Sequence, residues 1–409
     1  MRDCYLCTMN IDPVLLSVDF PLVAWIAFSV AFVAALYLLC VMLPQLLKVL
    51  RASSSANASS DDTSWLPPAS VVVTASSSAW NLPDLVDKIY GQDYPSEIEV
   101  IVVDDNSFDD TKDVLSTLQA KYPRLRTTFV PGDSRNLSRK KLSITLGIKA
   151  ACNDVVVLTA GNCAIRSDKW LRNMMSHFND ESTDIVIGYA APSARSGNDN
   201  DSSKRFRAFD TVWDAVRYLS RVLSRKTFRG NGCNIAYRRD VFFDNKGFSR
   251  SLNLNYGDDD IFINEVARRD NAVAELSADS IVDILDEAPA YVHGVNHMRR
   301  DFTAGYLPRA PFRLFASFSW AWWLWIVASV ATVLLTLPSV VASGAVFILA
   351  CILCLPVMIV WRKTSRALRS RPLLLTVPWF VSLHPLYNLA LRIKGFRRRY
   401  RNFTWGTIS

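Results

Sequence analysis

An uncharged run near the amino terminus places the first constraint on the fold. "FPLVAWIAFSVAFVAALYLLCVML" extends from Phe20 to Leu43 without a charged residue. A helix needs about 20 apolar residues to cross the hydrocarbon core of a bilayer. The run is too long for the apolar part of a secretory signal, and no small-residue cleavage site stands out after it. We therefore predict a transmembrane helix over residues 20–45, preceded by an external segment, residues 1–19.

Two more apolar runs follow one another in the carboxyl-terminal part of the chain. Leu314 to Leu337 and Val340 to Trp361 contain no charged residue, and the turn Pro338-Ser339 joins them. Soluble helices are seldom apolar on every face over this length, so a buried soluble helix pair is the weaker alternative. We predict a transmembrane hairpin over residues 309–361.

The last apolar stretch differs from these runs. Leu373 to Leu391 is interrupted by Pro378, His384 and Pro385, and basic residues flank it on both sides. Both flanks favour the cytoplasmic side of a membrane. For residues 362–409 this pattern favours a basic interfacial or re-entrant segment over a fourth span.

Basic residues beside the spans predict the orientation of the chain. Lys48 and Arg51 follow the first span, and Arg309 and Arg313 precede the second. Because lysine and arginine accumulate on the cytoplasmic side, the long middle segment is expected in the cytoplasm. The formal net charge of +8 gathers near these flanks, where it suits anionic lipids better than nucleic acid. We predict a multi-pass protein of the inner (plasma) membrane with no nucleic-acid partner.

The middle segment has the pattern of an α/β domain. A serine-rich linker is predicted over residues 46–66, and the domain over residues 67–308. Helical periodicity over 82–90, 111–122 and 140–151 alternates with short β-branched runs. The predicted strands are Ser70–Ala75, Glu99–Asp105, Arg126–Pro131, Asp154–Ala160 and Asp184–Ala190. This alternation predicts an α/β fold with a mainly parallel central sheet, whose ligands bind at the carboxyl ends of the strands.

Two adjacent carboxylates follow the second predicted strand in "VDDNSFDDT". Asp104 and Asp105, with the Asn and Ser that follow, offer acceptors for the N–H of a base and the hydroxyls of a ribose. An Asp/Asn turn followed by a helix cap explains the same composition equally well. The residues alone leave both interpretations open.

Four segments in order resemble the family 2 glycosyltransferases. "PPASVVVTASSSAWNLPDLVDKIYGQDYPSEIEVIVVDDNSFDDT" resembles the opening of that family. "SRKKLSITLGIKAACNDVVVLTAGNC", "FRGNGCNIAYRRDVFFDNKGF" and "NYGDDDIF" resemble its lysine-containing segment, its glycine-rich acceptor-side loop and its catalytic acidic motif. The resemblance covers roughly Pro67 to Arg300. It implies a GT-A fold and a membrane-bound enzyme that takes a sugar from a UDP- or GDP-sugar.

The resemblance implies nucleotide-binding roles for several residues. Asp104 and Asp105 would contact the base and the ribose, and Ala75 would line the same pocket. Lys140 and Lys141 would approach the diphosphate, because a lysine supplies a point charge suited to phosphate. An exposed helix start is the alternative interpretation of the two lysines.

The resemblance also implies the groups that act on the sugar and the acceptor. In "GDDD" one carboxylate would deprotonate the acceptor hydroxyl, and alignment favours Asp259, with Asp258 second. In "RGNGCN", Gly230, Gly232 and Asn234 would form a loop whose backbone approaches the sugar closely. A solvated acidic turn and an ordinary turn into a strand are the alternatives.

Ala160-Gly161-Asn162 stands where the family places Asp-x-Asp. Those carboxylates hold a divalent ion across the diphosphate and neutralise the charge on the leaving group. Asn162 is expected among the nucleotide-binding residues, but its single amide oxygen is a poor site for Mg²⁺ or Mn²⁺. The sequence thus argues against a metal cofactor without eliminating it. Cations from Lys140, Lys141, Arg299 and Arg300 would then balance the leaving charge.

A second departure bears on the type of transferase. Many processive members carry Gln-x-x-Arg-Trp, whereas Asn296 to Arg300 reads "NHMRR" here. This argues against a processive polymerase. We therefore predict an inverting transferase acting on a lipid-linked or membrane-proximal glycan. The alternative is a catalytically inactive, glycosyltransferase-like membrane subunit that binds a nucleotide-sugar or a partner enzyme.

Overall fold

A computed structural model describes residues 20–57, 65–132, 137–192, 202–254, 256–285 and 290–398. The predicted external segment, residues 1–19, lies outside these ranges. The helices are α1 Leu22–Tyr37, a π-helical turn Leu38–Met42, α2 Leu43–Ala56, α3 Leu82–Tyr90, α4 Thr111–Lys121, α5 Arg139–Ala150, α6 Trp170–Ser176, α7 Ser202–Val222, α8 Arg239–Asp244, α9 Ile261–Val266, α10 Ala290–Thr303, α11 Arg309–Thr336, α12 Val340–Ala367 and α13 Val377–Arg398. The strands are β1 Ala69–Ala75, β2 Ile98–Asp104, β3 Leu125–Phe129, β4 Val155–Ala160, β5 Cys163–Ala164, β6 Ile185–Ile187, β7 Ala190–Pro192, β8 Ile235–Arg238, β9 Ala272–Ala274 and β10 Val282–Ile284.

Seven strands form the central sheet, in the order β3-β2-β1-β4-β8-β6-β9. Every pair in it is parallel except those that β8 makes with β4 and β6. The predicted mainly parallel α/β fold is therefore confirmed. Ala75 lies opposite Asp104, and Thr74 lies opposite Ala160, so the carboxyl ends of β1, β2 and β4 share one edge of the sheet.

The predicted strand Asp184–Ala190 is interrupted. Its first part is β6, and its last residue begins β7, which pairs with β10 in a second sheet of order β5-β10-β7. The side chain of Asn234 fills the break: a Cβ on Gly188 would lie 2.4 Å from the Asn234 amide nitrogen. That amide donates to the carbonyl of Tyr189 at 2.9 Å, so it occupies space that a continuous strand would need.

Among the residues that the structure describes, three helices are long and apolar enough to cross a membrane, namely Leu22–Ala56, Arg309–Thr336 and Val340–Ala367. Tyr37 and Ser317 share a hydrogen bond of 2.6 Å between their hydroxyls, which links α1 to α11. The first helix continues to Ala56, so the predicted linker begins as helix instead of as irregular chain. Lys48 in this extension donates to the Ser224 hydroxyl at 2.9 Å, which ties the helix to the domain beyond α7.

The helix α5 packs against the central sheet at Gly147. A Cβ added there would lie 2.3 Å from Cγ1 of Val72 and 3.2 Å from Cγ2 of Val103, both on buried strands. Close-packed interiors cannot absorb an extra methyl group without displacing their neighbours. Glycine therefore sets the distance between α5 and the sheet, and with it the position of the first turn of α5.

We predict that Gly147→Ala lowers the unfolding free energy by about 1–3 kcal/mol, the usual cost of overpacking. Thermal unfolding of the full chain in detergent measures this. Gly305→Ala is the matched control, because a Cβ at Gly305 meets no atom within 4 Å. Equal melting temperatures for the two variants would contradict the packing account.

Candidate active site

The carboxyl ends of β1 and β2 bring Ala75, Asp104 and Asp105 together, as the sequence predicts. Asp104 is 3% exposed, and its Oδ1 accepts from the backbone N–H of Ser107 at 3.0 Å and from its hydroxyl at 2.5 Å. Its other oxygen, Oδ2, is buried without a hydrogen-bond partner among the described residues. The N–H of Asp105 donates to the carbonyl of Ala75 at 2.7 Å. A buried acceptor that the protein leaves unpaired at a strand end is suited to a ligand donor.

Two consecutive residues at the start of α5 connect the two acidic motifs. The guanidinium of Arg139 pairs with Asp105 at 2.8 Å, and the ammonium of Lys140 pairs with Asp258 at 2.7 Å. Burial raises the pKa of Asp105 even though Arg139 opposes the shift. The strand-end carboxylates and the "GDDD" motif are thus held on either side of a single helix turn.

The glycine loop lies directly against the acidic motif. The N–H of Gly230 donates to the carbonyl of Asp259 at 2.6 Å, and the N–H of Gly232 donates to Oδ2 of Asp259 at 3.3 Å. A Cβ on Gly232 would lie 2.9 Å from Oδ2 of Asp258 and 3.3 Å from Nζ of Lys140. A larger residue would displace these charged groups, and the contacts bring Gly230, Gly232, Asp258, Asp259 and Lys140 into one cluster.

The third carboxylate of the motif, Asp260, has a structural position. It is 4% exposed, caps α9 by accepting from the N–H of Ile261 at 2.6 Å, and accepts from the Thr303 hydroxyl. Burial, reinforced by the neighbouring Asp259, raises its pKa to about 6, although Arg229 opposes the shift. The motif therefore contains an acid that titrates close to neutral pH.

Two of the predicted site residues face the interior instead. Lys141 is fully buried and donates to the carbonyls of Ser251 at 2.6 Å and Tyr256 at 2.9 Å. Burial lowers the pKa of its ammonium to about 8. Asn234 is also fully buried, donates to the carbonyl of Ser280 at 2.8 Å, and accepts from the Trp170 indole at 3.1 Å. Through these hydrogen bonds both side chains hold segments of the fold together.

The two predicted leaving-group arginines lie on α10, and each contacts a residue outside that helix. The Arg299 guanidinium lies 4.5 Å from the centre of the Tyr256 ring. Arg300 pairs with Asp214 at 2.8 Å, and Asp214 pairs also with Arg229, at the head of the glycine loop, at 3.0 Å. Against the effect of burial, these guanidiniums hold the pKa of Asp214 well below its usual range. The sequence did not indicate a role for Asp214, because this residue lies in an ordinary amphipathic helix.

The donors at the end of β4 do not fit a hard divalent cation. A Cβ on Gly161 would lie 2.6 Å from the Ser78 hydroxyl, so this turn is packed against the loop after β1. The side chain of Asn162 supplies only a neutral amide. The backbone carbonyl of Asn162 already accepts from the N–H of Leu285 at 2.9 Å. The carboxylate of Asp283, on the strand beside β5, is paired with Arg166. Mg²⁺ and Mn²⁺ require oxygen ligands that include carboxylates or phosphates, and this turn contributes no carboxylate.

Replacement of Asp260 by Asn should make stability depend less on pH. A carboxyl whose pKa is raised on folding, here from 3.8 to about 6, destabilises the fold progressively as pH rises through that interval and fully above it. Asn keeps the acceptor for Ile261 and can donate to Thr303. We expect Asp260→Asn to be more stable than the parent by roughly 1–3 kcal/mol at pH 7.5, an advantage at least halved at pH 4.5. Thermal unfolding at the two pH values measures this; an advantage independent of pH would contradict it.

Comparisons with known proteins agree with this geometry. Residues 70–244 match the family described as glycosyl transferase family 2. The mannosyltransferase PcManGT from Pyrobaculum calidifontis, solved with GDP-Man and Mn²⁺, is 19% identical with a TM-score of 0.53, over 92% of this chain and 98% of that chain. Glucosyl-3-phosphoglycerate synthase from Mycobacterium tuberculosis, solved with Mn²⁺, UDP-glucose and phosphoglyceric acid, is 15% identical with a TM-score of 0.37, over 60% of this chain and 78% of that chain. No curated protein matches the sequence. Residues 70–244 thus match glycosyl transferase family 2, and this match together with the GT-A fold supports a glycosyltransferase.

Proposed function

We propose that the protein is a membrane-bound inverting glycosyltransferase that moves a sugar from a UDP- or GDP-sugar to a lipid-linked or membrane-proximal glycan, without a metal ion. The observation that carries this proposal is the pair of contacts from consecutive residues, Arg139 to Asp105 and Lys140 to Asp258. They link the strand-end carboxylates and the acidic motif through one helix turn, which supports neighbouring positions for a donor and an acceptor. PcManGT, which shares the fold, was solved with GDP-Man.

Asp259 is the proposed general base. Its Oδ2 is positioned by the N–H of Gly232 at 3.3 Å, and its carbonyl by the N–H of Gly230 at 2.6 Å. In a single displacement with inversion, Asp259 takes the proton of the acceptor hydroxyl. The acceptor oxygen then bonds to the anomeric carbon, and the nucleoside diphosphate leaves with the bonding electrons. Asp258 serves to hold Lys140 beside this base.

Lys140 is the proposed counter-charge for the leaving diphosphate. Its side chain is 44% exposed, so its ammonium can reach a phosphate without unfolding the first turn of α5. Lys141 is fully buried against the carbonyls of Ser251 and Tyr256, so it does not compete for this role. A preorganised cation can stabilise leaving phosphate charge in the position that a metal occupies in other enzymes.

The membrane helices suggest where the acceptor lies. The acidic motif is joined to α10 by the hydrogen bond between Asp260 and Thr303, and α11 begins six residues later at Arg309. Basic residues at the ends of the spans favour a position of this domain on the cytoplasmic side of the plasma membrane. An acceptor anchored in the cytoplasmic leaflet would reach the site directly. Such a transfer would serve the synthesis of a polysaccharide of the cell envelope.

Asp259→Asn should lower turnover by about 10²–10⁴-fold, because the general base is lost. Binding of the donor should be little changed, since Asp259 contacts the acceptor side. Transfer from radiolabelled UDP- and GDP-sugars to membrane lipid extracts measures turnover, and calorimetry measures binding. Asp244→Asn, an exposed residue at the end of α8, is the control and should retain activity. Full activity of Asp259→Asn would remove this residue from the mechanism.

Calorimetric titration of UDP and GDP with Mn²⁺, and then with EDTA, tests the role of Lys140. We expect binding that survives EDTA and that weakens by on the order of tenfold or more in Lys140→Met, because a charge-assisted phosphate contact is lost. Loss of binding in EDTA would show that a metal is required and would contradict the metal-free mechanism. Absence of binding under both conditions would favour the non-catalytic subunit instead.

A further inference from the structure

Three of the four histidines in the chain surround one buried carboxylate. The carboxylate belongs to Asp210 on α7, which is 2% exposed. His293 and His297 approach it from successive turns of α10, and His384 approaches it from α13. None of these residues takes part in the transfer reaction proposed above. Elements that are far apart in sequence therefore converge on one titratable cluster between the domain and the membrane helices.

The distances in this cluster resemble those between ligands of a tetrahedral ion. Oδ1 of Asp210 lies 3.0 Å from Nε2 of His384 and 3.7 Å from Nε2 of His297. The ligand atoms of these three residues all lie within 4.8 Å of one another. With bonds of about 2.0–2.1 Å, ligand atoms around zinc are separated by roughly 3.3 Å. An ion placed between the three ligand atoms of Asp210, His297 and His384 would need only small adjustments of these side chains.

His293 contacts the other oxygen of the same carboxylate. Its Nε2 lies 2.8 Å from Oδ2 of Asp210. This hydrogen bond fixes the plane of the carboxylate and leaves Oδ1 directed at His297 and His384. A hydrogen bond to the second oxygen of a ligating carboxylate is a common way to orient a metal ligand.

The outer nitrogens of both candidate histidine ligands face hydrogen-bond acceptors. Nδ1 of His297 lies 3.8 Å from Oδ2 of Asp301, and both atoms are buried without a hydrogen-bond partner among the described residues. Nδ1 of His384 lies 3.2 Å from the Asn388 amide nitrogen, while the Asn388 oxygen is buried and unpaired in the same sense. A 180° rotation of that amide makes its oxygen accept from Nδ1–H. Each imidazole then presents the lone pair of Nε2 toward Asp210, which is the tautomer that a metal ligand needs.

The surroundings supply space for a small bound ion among charged groups. The cavity bordered by Asp210, His297 and His384 has a volume of about 10 Å³, close to the room that one small bound species needs. Its lining includes four carboxylates and three guanidiniums. A fourth guanidinium, that of Arg392, lies 3.7 Å from Oδ2 of Asp301, so carboxylates and guanidiniums are equal in number around the cavity.

We infer that Asp210, His297 and His384 form a Zn²⁺ site, with water in the fourth position and His293 as a positioning residue. Zinc suits this set because imidazole nitrogens and one carboxylate are its usual ligands, whereas Mg²⁺ prefers oxygen ligands alone. The ion would bind α7, α10 and α13 to each other. Through Thr303 and Arg300, α10 also contacts Asp260 and Asp214. The site thus stabilises the junction behind the acidic motif.

Elemental analysis of the full chain tests this inference. The protein is purified in detergent with a tag that lacks histidine, incubated with Zn²⁺ and passed through a desalting column. We expect about one zinc per chain, and a loss of most of it in His384→Ala and His297→Ala. His177→Ala is the matched control, because His177 pairs with Glu275 at 2.7 Å outside the cluster, and it should retain the zinc. Loading with Co²⁺ should give the visible absorption bands of a tetrahedral site.

Asn388→Ala keeps all ligands and tests the site even if a ligand variant fails to fold. Loss of an outer-shell partner should weaken Zn²⁺ binding by about 10–100-fold in competition with a chelator. No zinc in the parent protein after loading, or equal zinc in the parent and in a folded His384→Ala protein, would overturn the inference. An affinity unchanged in Asn388→Ala together with an octahedral cobalt spectrum would do the same.

Discussion

The first turn of α5 is the constraint on which the rest of the site depends. Gly147 lets the helix approach the sheet, since any larger residue would collide with Val72. Arg139 and Lys140 then project from the start of the helix to carboxylates on opposite sides. A shift of this helix by the width of a methyl group would separate both pairs, so the packing of an apolar interface determines the geometry of a charged one.

The helix α7 has a comparable role on the membrane side. Asp210 and Asp214 lie one turn apart and are both buried, which is expensive unless each charge is paired. Asp214 pairs with Arg229 of the glycine loop and with Arg300 of α10. Asp210 contacts histidines of α10 and α13. If one of these helices moves away, a buried carboxylate loses the side chains that pair with it. The domain and the carboxyl-terminal helices are therefore coupled electrostatically as well as by apolar packing.

Much of the fold could be predicted from the sequence, because apolar runs and their spacing carry that information directly. The predicted helix over residues 82–90 coincides with α3, and β1, β2 and β4 begin and end within one residue of their predicted bounds. The site was less predictable. Lys140 and Lys141 are adjacent and chemically identical. Only the rotation of α5 about its own axis, relative to the sheet, decides that Lys141 is the buried one. Asp210 and His384 are separated by 174 positions, and no local sequence pattern predicts a contact between residues so far apart.

The position of Lys140 connects donor binding to the strength of the proposed base. In the free protein its ammonium lies 2.7 Å from Asp258, and Asp258 is the sequence neighbour of Asp259. A bound diphosphate would compete for the same ammonium and draw positive charge away from these carboxylates. Entry of the donor would therefore change the charge beside the proposed base Asp259 before an acceptor proton is removed. A metal ion held by its own carboxylates would not couple the donor to the base in this way.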